Sequence, residues 1–197
     1  MSEDLGLRER KRLSAMRRIQ TAALDLFEQH GFDEVTIERI AEVSEVSPSS
    51  VYRYFGTKEA LVIWDEYDPA ALAAIVAELD RHEPIEAIRR VVSAVMLEAF
   101  ASDAERIRRR LRLAYRYPSI EAASAQQAYE MAGLIGGVIA HNTGRTPDDL
   151  DVQVFAHAFV GGLLGALRHW HASGFTTDVQ DIVERPLRVL EHGLQLD

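Results

Sequence analysis

The residues with the most capacity for chemistry lie between Thr36 and Lys58. Ser47-Pro48-Ser49-Ser50-Val51-Tyr52-Arg53-Tyr54-Phe55 places three hydroxymethyl groups, two phenols and a guanidinium in nine positions. Their chemistry is hydrogen bonding to base edges and phosphate oxygens, because small hydroxyls permit close approach while Arg and Tyr reach further. On a helix starting at Pro48, Val51 and Phe55 are four apart and face inward. Ser49, Ser50, Tyr52, Arg53 and Tyr54 are then left to face out. Lys58, at the start of the next helix, adds a cation suited to phosphate. Thr36 and Ile37 open the helix before, so helix, tight turn and helix follow one another, the shape in which a second helix enters the major groove. On spacing alone, an αα-corner of a helical bundle with an incidental aromatic pair accounts for the same residues equally well.

Bond-breaking chemistry finds little support. No G-x-S-x-G elbow, Walker loop, dinucleotide fingerprint or H-E-x-x-H occurs. Gly161-Gly162-Leu163-Leu164-Gly165 lies in a helical pattern with no strand before it, so it cannot cradle a phosphate. His169 and His171 are two apart, on different faces of a helix, and make a poor metal pair. His141 and His157 read as ordinary pocket, core or surface histidines. With 0 Cys the chain has no disulfide framework, Cys-ligated zinc, iron–sulfur cluster or Cys nucleophile. No catalytic residue, metal site or cofactor is expected.

Charge is uneven along the chain. Between Leu5 and Gln20, six basic residues (Arg8, Arg10, Lys11, Arg12, Arg17, Arg18) stand against Glu9, giving +5, whereas the whole chain carries −9. A basic end on an acidic body fits one end facing a polyanion, although a solvated basic first turn reads the same way. The N-terminus has no apolar leader pattern. The longest apolar stretch, Val152 to Leu167, is interrupted by Gln153 and His157 and reads as too short for a bilayer. A cytoplasmic protein with no membrane contact is expected.

The elements that must position these residues are all helical, since strand alternation and hairpin turns are absent while apolar residues recur at helical spacing. Ile19, Ala22, Ala23, Leu26 and Phe27 form the stripe of a first helix over about 10–30, stopped at His30-Gly31. Thr36 and Ser47 are N-caps, Pro48 takes a first helical position, and Val46 can staple onto Val51. Thr57 caps a helix expected to reach about Tyr67, and Asp68-Pro69 begins one to about Arg81. Pro84 begins the next, to Ala101, and Asp103 another that stops ahead of Tyr117-Pro118. A further helix occupies about 119–142. Thr146-Pro147-Asp148-Asp149 opens one that runs to Gly174, and Thr177-Asp178 opens the last, with a kink or late start at Pro186.

Taken in register, Ala22-Ala23, Leu26-Phe27, Gly31-Phe32, Val35-Thr36-Ile37, Ile40-Ala41, Val46 through Phe55 and Lys58-Glu59-Ala60-Leu61 resemble the tetracycline-repressor (TetR) family of bacterial transcription regulators. The resemblance covers the first third of the chain. It implies an all-α subunit, with a helix-turn-helix DNA-binding domain at 9–69 (helix-turn-helix about 35–54) and a helical effector-binding and dimerisation domain at 70–197. By the family pattern Thr36 and Ile37 open the backbone-contacting helix, 47–54 form the recognition helix, and Tyr52, Tyr54 and Lys58 match phosphate-contacting positions. Two positions depart from it: Glu45 stands where the family usually has Gly in the turn, and Ser49 where it often has Gly in the recognition helix.

The implied function is a homodimeric repressor of a pseudo-palindromic operator in duplex DNA, released by a small-molecule effector. The expected DNA-binding residues are Arg8, Arg10, Lys11, Arg12, Thr36, Ile37, Ser47, Pro48, Ser49, Ser50, Tyr52, Arg53, Tyr54 and Lys58. An all-α enzyme, or a haem or metal sensor using a C-terminal cavity, is the alternative. Dimerisation is implied through the last two helices, where Val179, Ile182, Val183, Leu187, Leu190 and Leu194 form an apolar seam and Gly161, Gly162 and Gly165 permit close approach. A buried core within one chain accounts for each equally. Arg110-Leu111-Arg112-Leu113 and Pro118-Ser119-Ile120 resemble the C-terminal domain of a TetR subgroup that includes the mycofactocin-system regulator and is associated with acyl-coenzyme-A-type effectors. Arg108, Arg112 and Arg116, four apart, can hold an anionic head group, while Met96, Phe100, Tyr115, Tyr129, Met131, Phe155 and Phe159 can wall an apolar tunnel. An ion-paired Arg stripe and a plain aromatic core are the competing readings. Trp64 and Tyr67 stand where such a ligand would press on the linking helix, or where two domains simply pack.

Overall fold

The computed structural model describes residues 6–65 and 68–191, the side chains of 68–70 and 191 excepted. Among these residues there are nine helices and no strand: α1 Leu7–His30, α2 Ile37–Val43, α3 Pro48–Phe55, α4 Ala60–Ile63, α5 Asp68–Leu79, α6 Pro84–Arg116, α7 Pro118–Thr143, α8 Leu150–Ala172 and α9 Val179–Glu191. The all-α fold is as expected. The helices form two compact units, Met1–Glu66 with Arg112–Ala123, and Tyr67–Leu111 with Ser124–Asp197. A boundary near residue 69 therefore does not separate them cleanly, because the last turn of α6 and the first turns of α7 belong to the first unit.

In the first unit α1 buries Met16, Ile19, Ala23, Leu26 and Phe27 against Ile37 and Ile40 of α2, Val51 and Phe55 of α3, and Leu61 and Val62 of α4. Leu113, Ala114 and Ile120 complete that core. The caps are local: Thr36 Oγ1 accepts from the Arg39 N–H at 3.2 Å, Ser47 Oγ from the Ser50 N–H at 3.2 Å, and Thr57 Oγ1 from the Ala60 N–H at 3.1 Å. The helix after Thr57 is only four residues, Ala60–Ile63, far shorter than its apolar pattern indicated. Between α2 and α3 the chain turns at Glu45, whose φ of 55° is the left-handed conformation that favours glycine.

In the second unit α6 is one helix rather than two. The expected break survives as a kink at Asp103 (φ −148°, ψ 27°), whose carboxylate pairs with Arg106. Asp149 caps α8 by accepting from the Asp151 and Val152 N–H groups, and the guanidinium of Arg145 bridges Asp149 and Asp151, each at 3.0 Å. Partial desolvation works against the Asp149 charge, but the Val152 N–H and Arg145 outweigh it and hold the carboxyl below its ordinary value. At 23 residues α8 exceeds the interrupted apolar run and is, on length and composition, long enough to cross a bilayer. Here Val152, Ala156, Phe159 and Val160 pack into the core of the unit with Ile88, Val91, Ile135 and Ile139.

The seam on α9 faces its own chain. Val183 and Leu187 lie in that core, and Ile182 lies beside Phe100 and Trp170. Val179 and Leu190 pack against the same clusters, while Leu194 lies outside the described residues. Gly162 meets Pro186, with 3.6 Å between Pro186 Cβ and the place a Gly162 side chain would take. The close approach foreseen for Gly162 is therefore made within the subunit. Pro186 sits inside α9 and does not end it.

Two expected outcomes follow from this packing. Leu187, 0% exposed, cannot become Asp without burying a lone carboxylate, so Leu187→Asp should cost about 3–5 kcal/mol and abolish cooperative unfolding of the second unit in denaturant titrations, rather than yield a folded monomer. Relief of the left-handed strain at Glu45, less the greater flexibility of unfolded glycine, should make Glu45→Gly more stable by roughly 0.5–1 kcal/mol, read as a higher denaturation midpoint at unchanged slope.

Candidate nucleic-acid interface

α3 buries only Val51 and Phe55, and Phe55 meets the ring of Trp64 edge-on at 5.8 Å between centroids. The opposite face of α3 is open: Ser47, Pro48, Ser49, Tyr52 and Arg53 are exposed, and Ser50 and Tyr54 are half-buried. Hydroxyls line its start, with Ser47 Oγ 2.9 Å from both Ser49 Oγ and Ser50 Oγ. An Nη2 of Arg53 donates to Ser50 Oγ at 3.2 Å, and the guanidinium lies 5.0 Å from the centroid of the Tyr54 ring. The structure thus gathers the recognition-helix residues on one surface.

The basic arm is helical. α1 begins at Leu7, so Arg8, Arg10, Lys11 and Arg12 project from its first turns, all exposed, with Arg12 paired to Glu9 at 3.0 Å. Arg18 serves the fold instead, donating from Nε to the Ser44 carbonyl at 3.1 Å and so tying α1 to the turn before α3.

Two expected contacts need correction. The Ile37 side chain is 7% exposed and belongs to the core, which leaves only its backbone at the start of α2 for a phosphate. The Lys58 ammonium donates to the carbonyls of Phe32 (2.8 Å), Val35 (3.2 Å) and Asp33 (3.4 Å) and lies 4.4 Å from the Phe32 ring centroid. Its three donors are engaged, so it fixes the α1–α2 loop rather than offering a free hand to DNA. Thr36, just beyond that loop, is exposed.

Residues that local patterns did not flag hold this surface in place. Gln20, buried in α1, donates both protons of Nε2, to the Leu61 carbonyl at 3.0 Å and the Trp64 carbonyl at 2.9 Å, anchoring the end of α4. Tyr117, between α6 and α7, accepts from the Phe32 N–H at 3.1 Å and packs its ring 5.4 Å from that of Phe32. Neither bond has a local sequence signature, since the partners are 41 to 85 residues apart.

The expected effector residues fall in both units. Trp64, Arg112 and Tyr115 are in the first, where Trp64 packs on Phe55 and Arg112 is exposed. Tyr67 lies outside the described residues. In the second, Phe159 is a buried core residue and Phe100 packs edge-on against buried Trp170 at 4.9 Å. Met96, Met131 and Phe155 are partly buried against the core. Tyr129 is 65% exposed, its ring 5.0 Å from that of His157, so it stands at the surface of the subunit and walls no tunnel there. Of the arginine stripe, Arg108 pairs with Glu105 at 3.7 Å and lies over Trp170 at 5.6 Å, and Arg116 lies over Tyr117 at 5.6 Å.

Residues 19–63 match the family described as bacterial regulatory proteins, tetR family, and residues 82–195 match the family described as the MftR C-terminal domain. The chain belongs to the TetR family. TcmR, a helix-turn-helix transcriptional regulator of Streptomyces glaucescens, is 32% identical over 151 residues, covering 73% of this chain and 67% of TcmR. MftR of Mycobacterium tuberculosis, named for transcriptional regulation of mycofactocin biosynthesis, is 27% identical over 165 residues, 82% of each chain. Among solved structures, the TetR-family repressor FadR of Thermus thermophilus, in complex with lauroyl-CoA, superimposes with a TM-score of 0.56 at 23% identity over 92% of this chain and 96% of that one. Within this TetR-family chain the open face of α3 is the recognition surface of the helix-turn-helix.

Removing the Lys58 ammonium while keeping its stem over Phe32 isolates its structural part. Lys58→Met should lower stability by about 2 kcal/mol, the scale of hydrogen bonds from a charged donor, with the salt slope of DNA binding unchanged. A direct phosphate contact would instead reduce that slope by about 1.

Proposed function

We propose that this regulator is a homodimeric, effector-responsive repressor acting in the cytoplasm, with residues 9–69 binding a pseudo-palindromic operator and 70–197 binding effector and partner subunit. The observation that carries the reading is the open face of α3, on which Ser49, Tyr52 and Arg53 are exposed together and on which Val51 and Phe55 are not. Phosphate contacts come from Arg8, Arg10 and Lys11, with Tyr52, Tyr54 and the α2 N-terminus at Thr36 alongside the helix.

The dimer surface is assigned to the outer edge of α8, not to the α9 seam. Leu150 (74% exposed), Val154 (59%), Gly161 and Gly165 recur at three- to four-residue multiples along one side of α8 and are left open by the subunit's own packing. A second copy laid there buries apolar surface and gives two recognition helices the twofold relation that a pseudo-palindrome requires.

The effector is assigned to the acyl-coenzyme-A class. Support comes from the match to the MftR-type C-terminal domain and from FadR, solved with lauroyl-CoA. Met96, Met131 and Phe155, partly buried, retain surface for an acyl chain, and Arg112 offers a cation for the head group. Release of DNA requires that effector bind the DNA-incompetent arrangement better, and operator then weakens effector binding by the same factor.

Gel shifts with the duplex DNA flanking its own gene test the reading. Affinity should fall as salt rises, with each of Arg8, Arg10 and Lys11 replaced by Ala removing about 1 from the log–log slope. Long-chain acyl-coenzyme A should dissociate the complex, and Arg112→Ala should blunt that response while leaving ligand-free DNA affinity intact. A complex indifferent to an acyl-chain series and dissolved by a planar cationic compound would replace the acyl assignment with a drug-type one. Absence of any sequence-dependent shift would favour the enzyme or sensor alternative.

A further inference from the structure

We propose that Arg53 reads a guanine in each operator half-site and that Ser50 is a positioning residue that aims it; this rests on the DNA-binding function proposed above. Arg53 is the one charged residue of α3. At 3.6 residues per turn it lies roughly 200° around the helix from buried Val51, on the side farthest from the core. Long helical side chains run back toward the N-terminus, and Arg53 does so, reaching the Ser50 hydroxyl one turn earlier.

The direction of each hydrogen bond in this cluster follows from what each group is able to do. Arg53 only donates, so Ser50 Oγ accepts from it. The Ser50 proton is then directed to Ser47 Oγ at 2.9 Å, which also accepts the Ser50 N–H at 3.2 Å. With both lone pairs of Ser47 engaged, its own proton goes to Ser49 Oγ at 2.9 Å. The chain runs Arg53 to Ser50 to Ser47 to Ser49. It commits the Ser50 hydroxyl inside the protein, so that Ser50 supports a neighbour instead of reading a base. Ser49 keeps its own proton for a contact outward.

The Tyr54 ring flanks the same guanidinium, so Arg53 is held from two sides before DNA arrives. One of its five N–H donors is engaged by Ser50, which leaves a planar fork. A fork of two parallel donors matches the O6 and N7 acceptors of guanine in the major groove; adenine, with a donor at N6, does not match it. Holding the fork removes the side-chain ordering that would otherwise oppose binding and narrows the geometries available for a wrong base.

Selection from a random duplex library with the full chain tests both halves. The wild-type protein should recover a pseudo-palindrome with an invariant guanine in each half. Arg53→Ala should recover the same motif with that guanine lost, its preference falling roughly 5- to 150-fold, while binding to non-specific duplex and its salt dependence stay near wild type. Substituting 7-deazaguanine at that base should weaken the wild-type complex and leave the Arg53→Ala complex unaffected. Ser50→Ala should keep the guanine but lower its preference roughly two- to tenfold, and Ser50→Thr, which keeps a hydroxyl, should restore it. An Arg53→Ala protein that retains the guanine preference overturns the assignment to Arg53, and a Ser50→Ala protein with wild-type preference overturns the role of Ser50. Failure of the wild-type chain to recover any motif defeats the DNA-binding function itself, an outcome distinct from both.

Discussion

Val51 and Phe55 are all that α3 buries, and the whole reading surface depends on those two side chains. A helix of eight residues has almost no stability of its own, so its pose is a property of its surroundings. Phe55 stands edge-on to Trp64, and the carbonyl of Trp64 is held, with that of Leu61, by the two Nε2 protons of Gln20. α1 therefore positions α4, α4 positions Trp64, and Trp64 backs α3. At the ends, Ser47 satisfies the Ser50 N–H, and Gly56 closes the helix at φ 75°, its N–H bonded to the Tyr52 carbonyl at 2.8 Å. Glu45 holds a conformation that strains any residue with a Cβ, which the surrounding bonds of Ser44 and Val46 to Ile40 and Ala41 over-determine.

The loop between α1 and α2 is pinned from two directions far apart in the chain. Lys58 binds three of its carbonyls, and Tyr117 receives its Phe32 N–H and stacks on the same ring. Together with Leu113, Ala114 and Ile120, Tyr117 makes the α6–α7 corner part of the DNA-binding core. A head cut off near residue 69 would expose these contacts and leave the Phe32 N–H without its acceptor, so the head is not a separable module joined by a passive linker. For an effector-responsive regulator this is a useful constraint. The chain that leaves the second unit along α6 ends inside the packed core that orients α2 and α3, and a contiguous packed path is one requirement for coupling two sites. The other requirement, two discrete arrangements with different effector affinity, is a matter of thermodynamics and not of contact.

What was legible in the sequence divides by range. The caps at Thr36 and Ser47, the proline at the first position of α3 and the inward pair Val51 and Phe55 are consequences of bonds spanning three or four residues, and all are as read. The seam on α9 was correctly seen as apolar but its partner was not determined by its pattern, because a helix face says only that it is buried; the core around Ile88, Val91 and Phe159 claims it. Lys58 looked like a phosphate ligand because charge at a helix start is chemically apt, yet three carbonyls brought together by the turn of the α1–α2 loop reached it first. Asp103 carries both lessons: a helix start was legible there, and packing on either side kept the helix continuous through it as a kink. Phe100 and Phe159 were candidates for a ligand wall, and the neighbours that fill their surroundings, Trp170 above all, come from helices remote in sequence.

The charge pattern gains a physical role once the geometry is known. Exposed cations cluster on the first turns of α1, while the chain as a whole carries −9. Long-range attraction to a polyanion thus acts through the arm, and the acidic remainder is repelled, which orients an approaching subunit before any base is touched. Such attraction carries no sequence information, falls with salt, and depends on the number of cations rather than on their exact placement. Reading by α3 is the opposite in every respect. It depends on hydroxyls and a guanidinium placed to within a few tenths of an ångström, and that placement derives from neutral contacts: the Ser47 cap, the Tyr54 ring, and Val51 and Phe55 in the core. Affinity and specificity are therefore held by different residues on different helices. A change in the arm alters how tightly every sequence is bound, and a change under α3 alters which sequence is preferred, with little exchange between the two.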